Sequence, residues 1–271
     1  MRRPYLRALS AGLVPLAVLA ACGDDAATGR DGPTTTASTT APTGAPLGAD
    51  AVIDPGDGGR YAPRLDPADF VDVIDNPYLP LLVGSRWVYE GDSDGRPERI
   101  EVVVTDERRR IDGIVATVVR DTVHVDGELV EDTYDWFAQD REGNVWYLGE
   151  ASNDYEGGVN ISREGSWEHG VDGAIGGIVM LADPTVGDAY RQEFLAGEAE
   201  DLGEVIKVGE TLTTGLDTYT DVIVTEDWTP LEPEVVEHKW YAPGIGKVYG
   251  THERGPSGTI ELVSFTPGAG R

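Results

Sequence analysis

The side chains able to do chemistry are one thiol, four imidazoles, a large excess of carboxylates and a recurring set of aromatics. Cys22 is the only cysteine in 271 residues, so neither an intramolecular disulfide nor a thiolate metal cluster can form. His124, His169, His238 and His252 are scattered, without the short spacing of a metal-ligand pair. Ser166 has His169 nearby. No Gly-x-Ser-x-Gly elbow occurs, however, and Gly255-Pro256-Ser257-Gly258 breaks that pattern, so both serines read as turn residues. Asp92-Ser93-Asp94-Gly95 and Asp140-Arg141-Glu142-Gly143-Asn144 place oxygens at alternate positions beside a glycine, as calcium loops do. Neither completes such a loop, and both fall where hairpin turns are expected. With 49 acids, carboxylate pairs of the kind that cleave glycosides arise by chance, and nothing marks one pair. These residues point to no catalytic set, no metal site and no cofactor.

The aromatics are more informative. Trp136, Trp146, Trp240 and Tyr249 recur at matched positions, where alternating rings more often build a core than hold a ligand. Stacked rings also bind sugars and apolar molecules, so Trp167, Met180, Trp136 and Trp240 are the ligand-binding candidates. Trp167 and Met180 fall in a glycine-rich stretch outside the repeated pattern, and Trp167 is the first choice.

That pattern is an internal repeat. Val83-Gly84-Ser85-Arg86-Trp87-Val88-Tyr89-Glu90 matches Val186-Gly187-Asp188-Ala189-Tyr190-Arg191-Gln192-Glu193 at an offset of 103 residues. Trp136-Phe137-Ala138 followed by Gly143-Asn144-Val145 matches Trp240-Tyr241-Ala242 followed by Gly246-Lys247-Val248 at nearly the same offset. Each half is rich in β-branched residues, and Asp126-Gly127 supplies a hairpin turn. Asp66 to Asp75 carries the signals of one short helix. The expected fold is mainly β: a curved antiparallel sheet or open barrel of about ten strands, built from two related meanders. Repeat 1 covers about 82–149 and repeat 2 about 185–254. Between them lies the glycine-rich insertion, about 150–184, packed on the sheet or across a barrel mouth.

Residues 60–271 form a single β domain by this reading. Residues 22–59, rich in Ala, Thr, Gly, Pro and Asp, cannot bury enough apolar surface to order and form a disordered tether. Its reach is roughly 30–35 Å. Residues 1–21 have the parts of an export signal: Arg2, Arg3 and Arg7, then an apolar run from Ala8 to Ala21, too short to span a bilayer. Removing those three arginines from a chain of net charge −28 leaves −31. So acidic a chain excludes nucleic acid and direct docking on anionic lipid. The same charge keeps an exported domain soluble.

Leu19-Ala20-Ala21-Cys22 resembles the lipobox of bacterial lipoproteins. The resemblance implies cleavage before Cys22, diacylglycerol on its thiol, and a lipid-anchored location on the extracytoplasmic face of a cell membrane. The alternative is an ordinary secretory signal with an incidental cysteine. Pro80-Leu81-x-x-Gly84-x-x-Trp87-x-Tyr89 and Trp240-Tyr241-Ala242-Pro243-Gly244-x-Gly246-x-Val248 look like motifs of uncharacterised exported β-rich bacterial proteins. That family brings no catalytic residue with it. A curved sheet on a lipid anchor also resembles the half-barrel carriers of lipids and lipoproteins. The expected function is therefore a membrane-anchored binding or carrier lipoprotein for lipid, other apolar cargo or glycan, and not an enzyme. The alternatives are an extracytoplasmic hydrolase of wall glycans and a non-catalytic envelope interaction module. An apolar cavity favours the carrier, and a polar cleft with convergent carboxylates favours the enzyme.

Overall fold

Runs of β-branched residues punctuated by Asp-Gly pairs fold into hairpins, because a two-residue turn of this kind matches the twist of the strands it joins. The computed structural model describes residues 61–269; the signal sequence, Cys22 and the tether lie outside the described residues. Three turns follow the rule, with positive φ at both residues: Asp94-Gly95 (50° and 73°), Asp112-Gly113 (43° and 88°) and Asp126-Gly127 (53° and 82°).

A 3-10 turn at Pro67–Asp69 and the short strand β1 (Phe70–Val71) precede the first meander. This meander comprises β2 (Arg86–Ser93), β3 (Arg96–Ile111), β4 (Ile114–Val125), β5 (Glu128–Asp140) and β6 (Val145–Ala151). Four shorter strands follow: β7 (Asp154–Glu156), β8 (Val159–Ser162), β9 (Trp167–Glu168) and β10 (Ile175–Met180). The second run contains β11 (Ala189–Arg191), β12 (Glu193–Phe194), β13 (Leu202–Thr213) and β14 (Thr218–Trp228). It ends with β15 (Val236–Ala242), β16 (Gly246–Arg254) and β17 (Gly258–Thr266).

Antiparallel ladders join thirteen of these strands in the order β11, β13, β14, β15, β16, β17, β2, β3, β4, β5, β6, β10, β12. The two ends of that order, β11 and β12, are separated in the chain only by Gln192. The sheet therefore curls back on itself into a nearly closed barrel with one unsealed seam. At the seam the chains touch backbone to backbone. A Cβ on Gly177 would lie 2.3 Å from the Arg191 carbonyl oxygen and 2.4 Å from the Gln192 carbonyl carbon.

The strands exceed the expected ten because β10, from the glycine-rich insertion, is a stave of the wall and β17 zips onto β2. Asp66 to Asp75 is not a helix. Only Pro67–Asp69 turns, capped by the Asp66 carboxylate on Ala68 N at 3.0 Å, before Phe70 and Val71 pair with Asp140 and Gln139 at the edge of β5. Edge pairing beats the local helix signal there.

Both faces of part of the wall are covered. Trp87, Ile100, Val119, Phe137, Tyr147 and Val248 belong to the inner cluster. Ile111 and Ile114, at the tip of the β3–β4 hairpin, pack with Trp136, Trp146 and Ile178 in a second cluster on the outer face. The chain from Ile74 to Leu82 closes one end of the barrel, and Ile74, Leu79 and Leu81 enter the inner cluster. Asn76 fixes this plug. Its Nδ2 donates to Gly143 O (2.9 Å) and Leu181 O (3.0 Å), and its Oδ1 accepts from Tyr78 N (2.8 Å) and Leu79 N (3.1 Å). Gly244 N also donates to Pro77 O at 2.7 Å. The β5–β6 turn, the end of β10 and the β15–β16 turn are thereby tied to one segment.

Candidate functional site

In a strand, alternate residues share a face. On β3 that rule puts Glu98 with Ile100, Val102 and Val104, all buried on the inner side. On β4 it puts Asp121 with Val119 and Val123, and on β5 it puts Asp135 with Thr133 and Phe137. The ladders align these acids: Asp121 stands opposite Val102 and Thr133, and Asp135 opposite Val119 and Glu150. Asp227 on β14, Glu237 and Lys239 on β15, and His252 on β16 come from the other half and align likewise. Nearly all these groups lie in the half of the barrel away from the plug.

The second-half groups are paired in a chain. Asp227 Oδ2 accepts from Lys239 Nζ at 2.8 Å and from Gln192 Nε2 at 3.0 Å. Lys239 Nζ also reaches Glu237 Oε2 at 3.3 Å, and Glu237 Oε1 meets His252 Nε2 at 2.8 Å. The first-half acids differ. Glu98 and Asp121 are 3% and 1% exposed, and none of their four carboxylate oxygens has a hydrogen-bond partner among the described residues. Asp135 accepts from the Tyr147 hydroxyl at 2.9 Å.

These environments move the proton affinities in opposite directions. Burial pushes Glu98 up to about 8; Lys247 offsets part of this, while Glu237, Glu131 and Asp92 add to it. Burial, Glu131 and Asp135 push Asp121 well above the carboxylate range. Asp135 rises to about 7 through burial, against the pull of the Tyr147 hydroxyl. Glu193 is raised by burial and by Asp201 and Glu150, with the Trp167 indole N–H partly countering. Glu237 goes the other way: burial opposes its charge, but Lys239 and the His252 hydrogen bond hold it at about 2. Lys247 is brought down to about 8 by burial and by Lys239. Glu98, Asp121 and Lys247 act on one another although they stand on β3, β4 and β16. They therefore lie close together inside the barrel wall.

Of the residues singled out from sequence, Trp167 lies nearest this cluster, buried edge-on against Tyr147 with ring centroids 5.1 Å apart. Met180 is buried in the inner cluster, and Trp240 is half-buried at its margin, 5.1 Å from the Tyr249 ring. Trp136 belongs to the outer cluster, with the Arg109 guanidinium 3.9 Å above its ring. The four do not converge on one site. Ser166 closes a turn, accepting from Ser152 N at 2.9 Å, and His169 Nδ1 accepts from Gly176 N at 3.0 Å. Asp140 accepts from Glu142 N, Asn144 N and the Trp146 indole, which is turn and packing chemistry. Among the described residues no three His, Cys, Asp or Glu side chains are grouped to hold one metal ion.

The acids of the inner face were missed by reasoning from residue types, because charged residues on strands read as outward-facing. For Glu98, its parity with Ile100, Val102 and Val104 on β3 was the available signal.

No known family model matches the chain, and no curated protein matches it. Two solved structures are similar. One is a protein designated as exported, with a YmcC-like fold, from Bacteroides fragilis NCTC 9343. It is 14% identical with a TM-score of 0.40, covering 71% of this chain and 100% of that one. The other is a protein designated a lipoprotein from Parabacteroides distasonis ATCC 8503. It is 13% identical with a TM-score of 0.33, covering 70% of this chain and 99% of that one.

Proposed function

We propose that this chain is a membrane-anchored, extracytoplasmic binding lipoprotein, held by lipid on Cys22, whose barrel receives a small polar ligand on its acidic inner face. The observation that carries the reading is the pair Glu98 and Asp121: buried carboxylates with no hydrogen-bond partner among the described residues, on the inner wall of a barrel plugged at the far end. A buried acid without a hydrogen bond is costly, and a ligand that supplies donors removes that cost. A wholly apolar cargo would leave it in place, so the polar ligand is preferred over lipid. The lipobox residues Leu19-Ala20-Ala21-Cys22 support the anchor.

Native mass spectrometry of the chain purified from its own host tests the binding function. A reproducible added mass is expected, and a bare chain from every preparation refutes it. Replacing Cys22 by Ser tests the anchor: the lipidated chain partitions into detergent and the variant into the aqueous phase. Equal partitioning of the two refutes lipidation.

A glycan hydrolase is the second reading. The observation in its favour is the split between Glu237, held at about 2, and Asp135, raised to about 7, which is how acid and base roles are divided between carboxylates. Turnover of wall fragments, abolished by Asp135→Asn, would replace the binding function with this one.

A further inference from the structure

We infer that the ligand held in the barrel is an organic cation whose ammonium group is received by Glu98 and Asp121 on the inner face of β3 and β4. The inference rests on the binding function proposed above and names the ligand class.

Four observations lead there. The acids around this point outnumber the cations: Glu131 and Asp135 stand on β5 beside Asp121, and Glu131 also acts on Glu98, with Lys247 as the cation among them. Of the basic groups of the other half, Lys239 is engaged by Asp227 and Glu237 and His252 by Glu237, while Lys247 offsets part of the charge of Glu98 and Asp121 without a hydrogen bond to either. Independently of that cluster, both oxygens of Glu98 and of Asp121 are buried and unpartnered. Once ionised, such carboxylates accept hydrogen bonds, which a ligand rich in N–H supplies. Finally, the Tyr89 ring is buried next to Asp121, and Lys247 Nζ lies 5.4 Å from its centre, so the aromatic surface beside these acids is one that attracts positive charge. A metal ion fits less well, because no three ligating side chains are grouped among the described residues, whereas an ammonium group needs only two or three acceptors.

The charge state of the site adds a thermodynamic signature. Glu98 faces Asp121, Glu131, Glu237, Asp92 and Lys247, and binds its proton up to about pH 8. An entering ammonium displaces protons from these acids, so binding at neutral pH releases protons and tightens as the pH rises toward about 8.

The test is titration calorimetry of the mature chain, residues 22–271 with Cys22→Ser, using n-butylammonium and spermidine as probes and n-butanol as the neutral control. Expected results are binding of at least one amine, proton release in buffers of differing ionisation heat, no binding of butanol, and a loss of tenfold or more in Glu98→Gln. Asp121→Asn is the second variant, so that misfolding of one leaves the test intact. In parallel, the ligand released by acid from host-purified protein should be basic. A neutral or acidic released ligand overturns the cation inference and leaves the binding function standing. No released ligand and no heat with either amine overturn both.

Discussion

Replacing Glu98 by Gln should make this protein more stable, and increasingly so as the pH rises. The carboxyl of Glu98 is raised from its ordinary 4.5 to about 8 in the folded chain. Between those values the folded state holds a proton that the unfolded state has lost, so stability falls as pH rises through the window, by about 1.4 kcal/mol per pH unit. Across the whole window the loss is on the order of 5 kcal/mol, a large share of the roughly 5–15 kcal/mol that holds a domain together. Gln keeps the shape and cannot ionise. The gain from Glu98→Gln should therefore be small near pH 4.5, reach about 3 kcal/mol at pH 7, and level off above pH 8. Urea unfolding followed by tryptophan fluorescence at several pH values between about 5 and about 8 gives the difference directly. Parallel stability–pH curves for the two proteins would mean that Glu98 ionises as it does in water. The account of an uncompensated acid on the inner wall would then be wrong.

Three further outcomes follow from contacts at other points of the barrel. Lys239→Met leaves the buried Asp227 without its 2.8 Å partner and should cost about 3–5 kcal/mol; adding Asp227→Asn should recover part of it, and two equally unstable variants would contradict the pairing. Gly177→Ala drives a methyl into the Arg191 carbonyl at the seam and should lower the unfolding midpoint sharply, with faster hydrogen exchange in β10 and β12 before the rest of the sheet; uniform exchange would deny the seam its role. Asn76→Ala removes four hydrogen bonds from the plug and should cost about 2–4 kcal/mol in denaturant unfolding; a neutral result would mean that the plug is held by its apolar residues alone.

The architecture was largely readable because strands and tight turns are written locally. Asp126-Gly127 identifies its hairpin outright, and Asp112-Gly113 between Ile111 and Ile114 carries the same signal. The order of strands around the barrel was not readable. Nothing local to Gly258–Thr266 says that it pairs with β2, more than 160 residues earlier, or that Ile175–Met180 becomes a stave between β6 and β12. The acidic site was hidden for a related reason. Alternation tells which residues share a face, but on β4 and β5 both faces are buried, since the β3–β4 tip covers the outside. Val118 and Val119, or Trp136 and Phe137, then look alike, and the inward side of Asp121 and Asp135 emerges only once the barrel closes.

Tyr61, the first described residue, is buttoned to the seam: its hydroxyl donates to Gly176 O at 2.9 Å, and its ring meets that of Phe194 edge-on. The described part of the barrel begins at that button. Within the described residues, tension applied from the N-terminal side would reach Tyr61 first and then the two-residue ladder Ile175–Phe194 and Gly176–Glu193. So short a ladder is the weakest join in the wall under load. A pull from that side thus acts on the clasp of the barrel, and mechanical stretching would open it along its length where β10 meets β12.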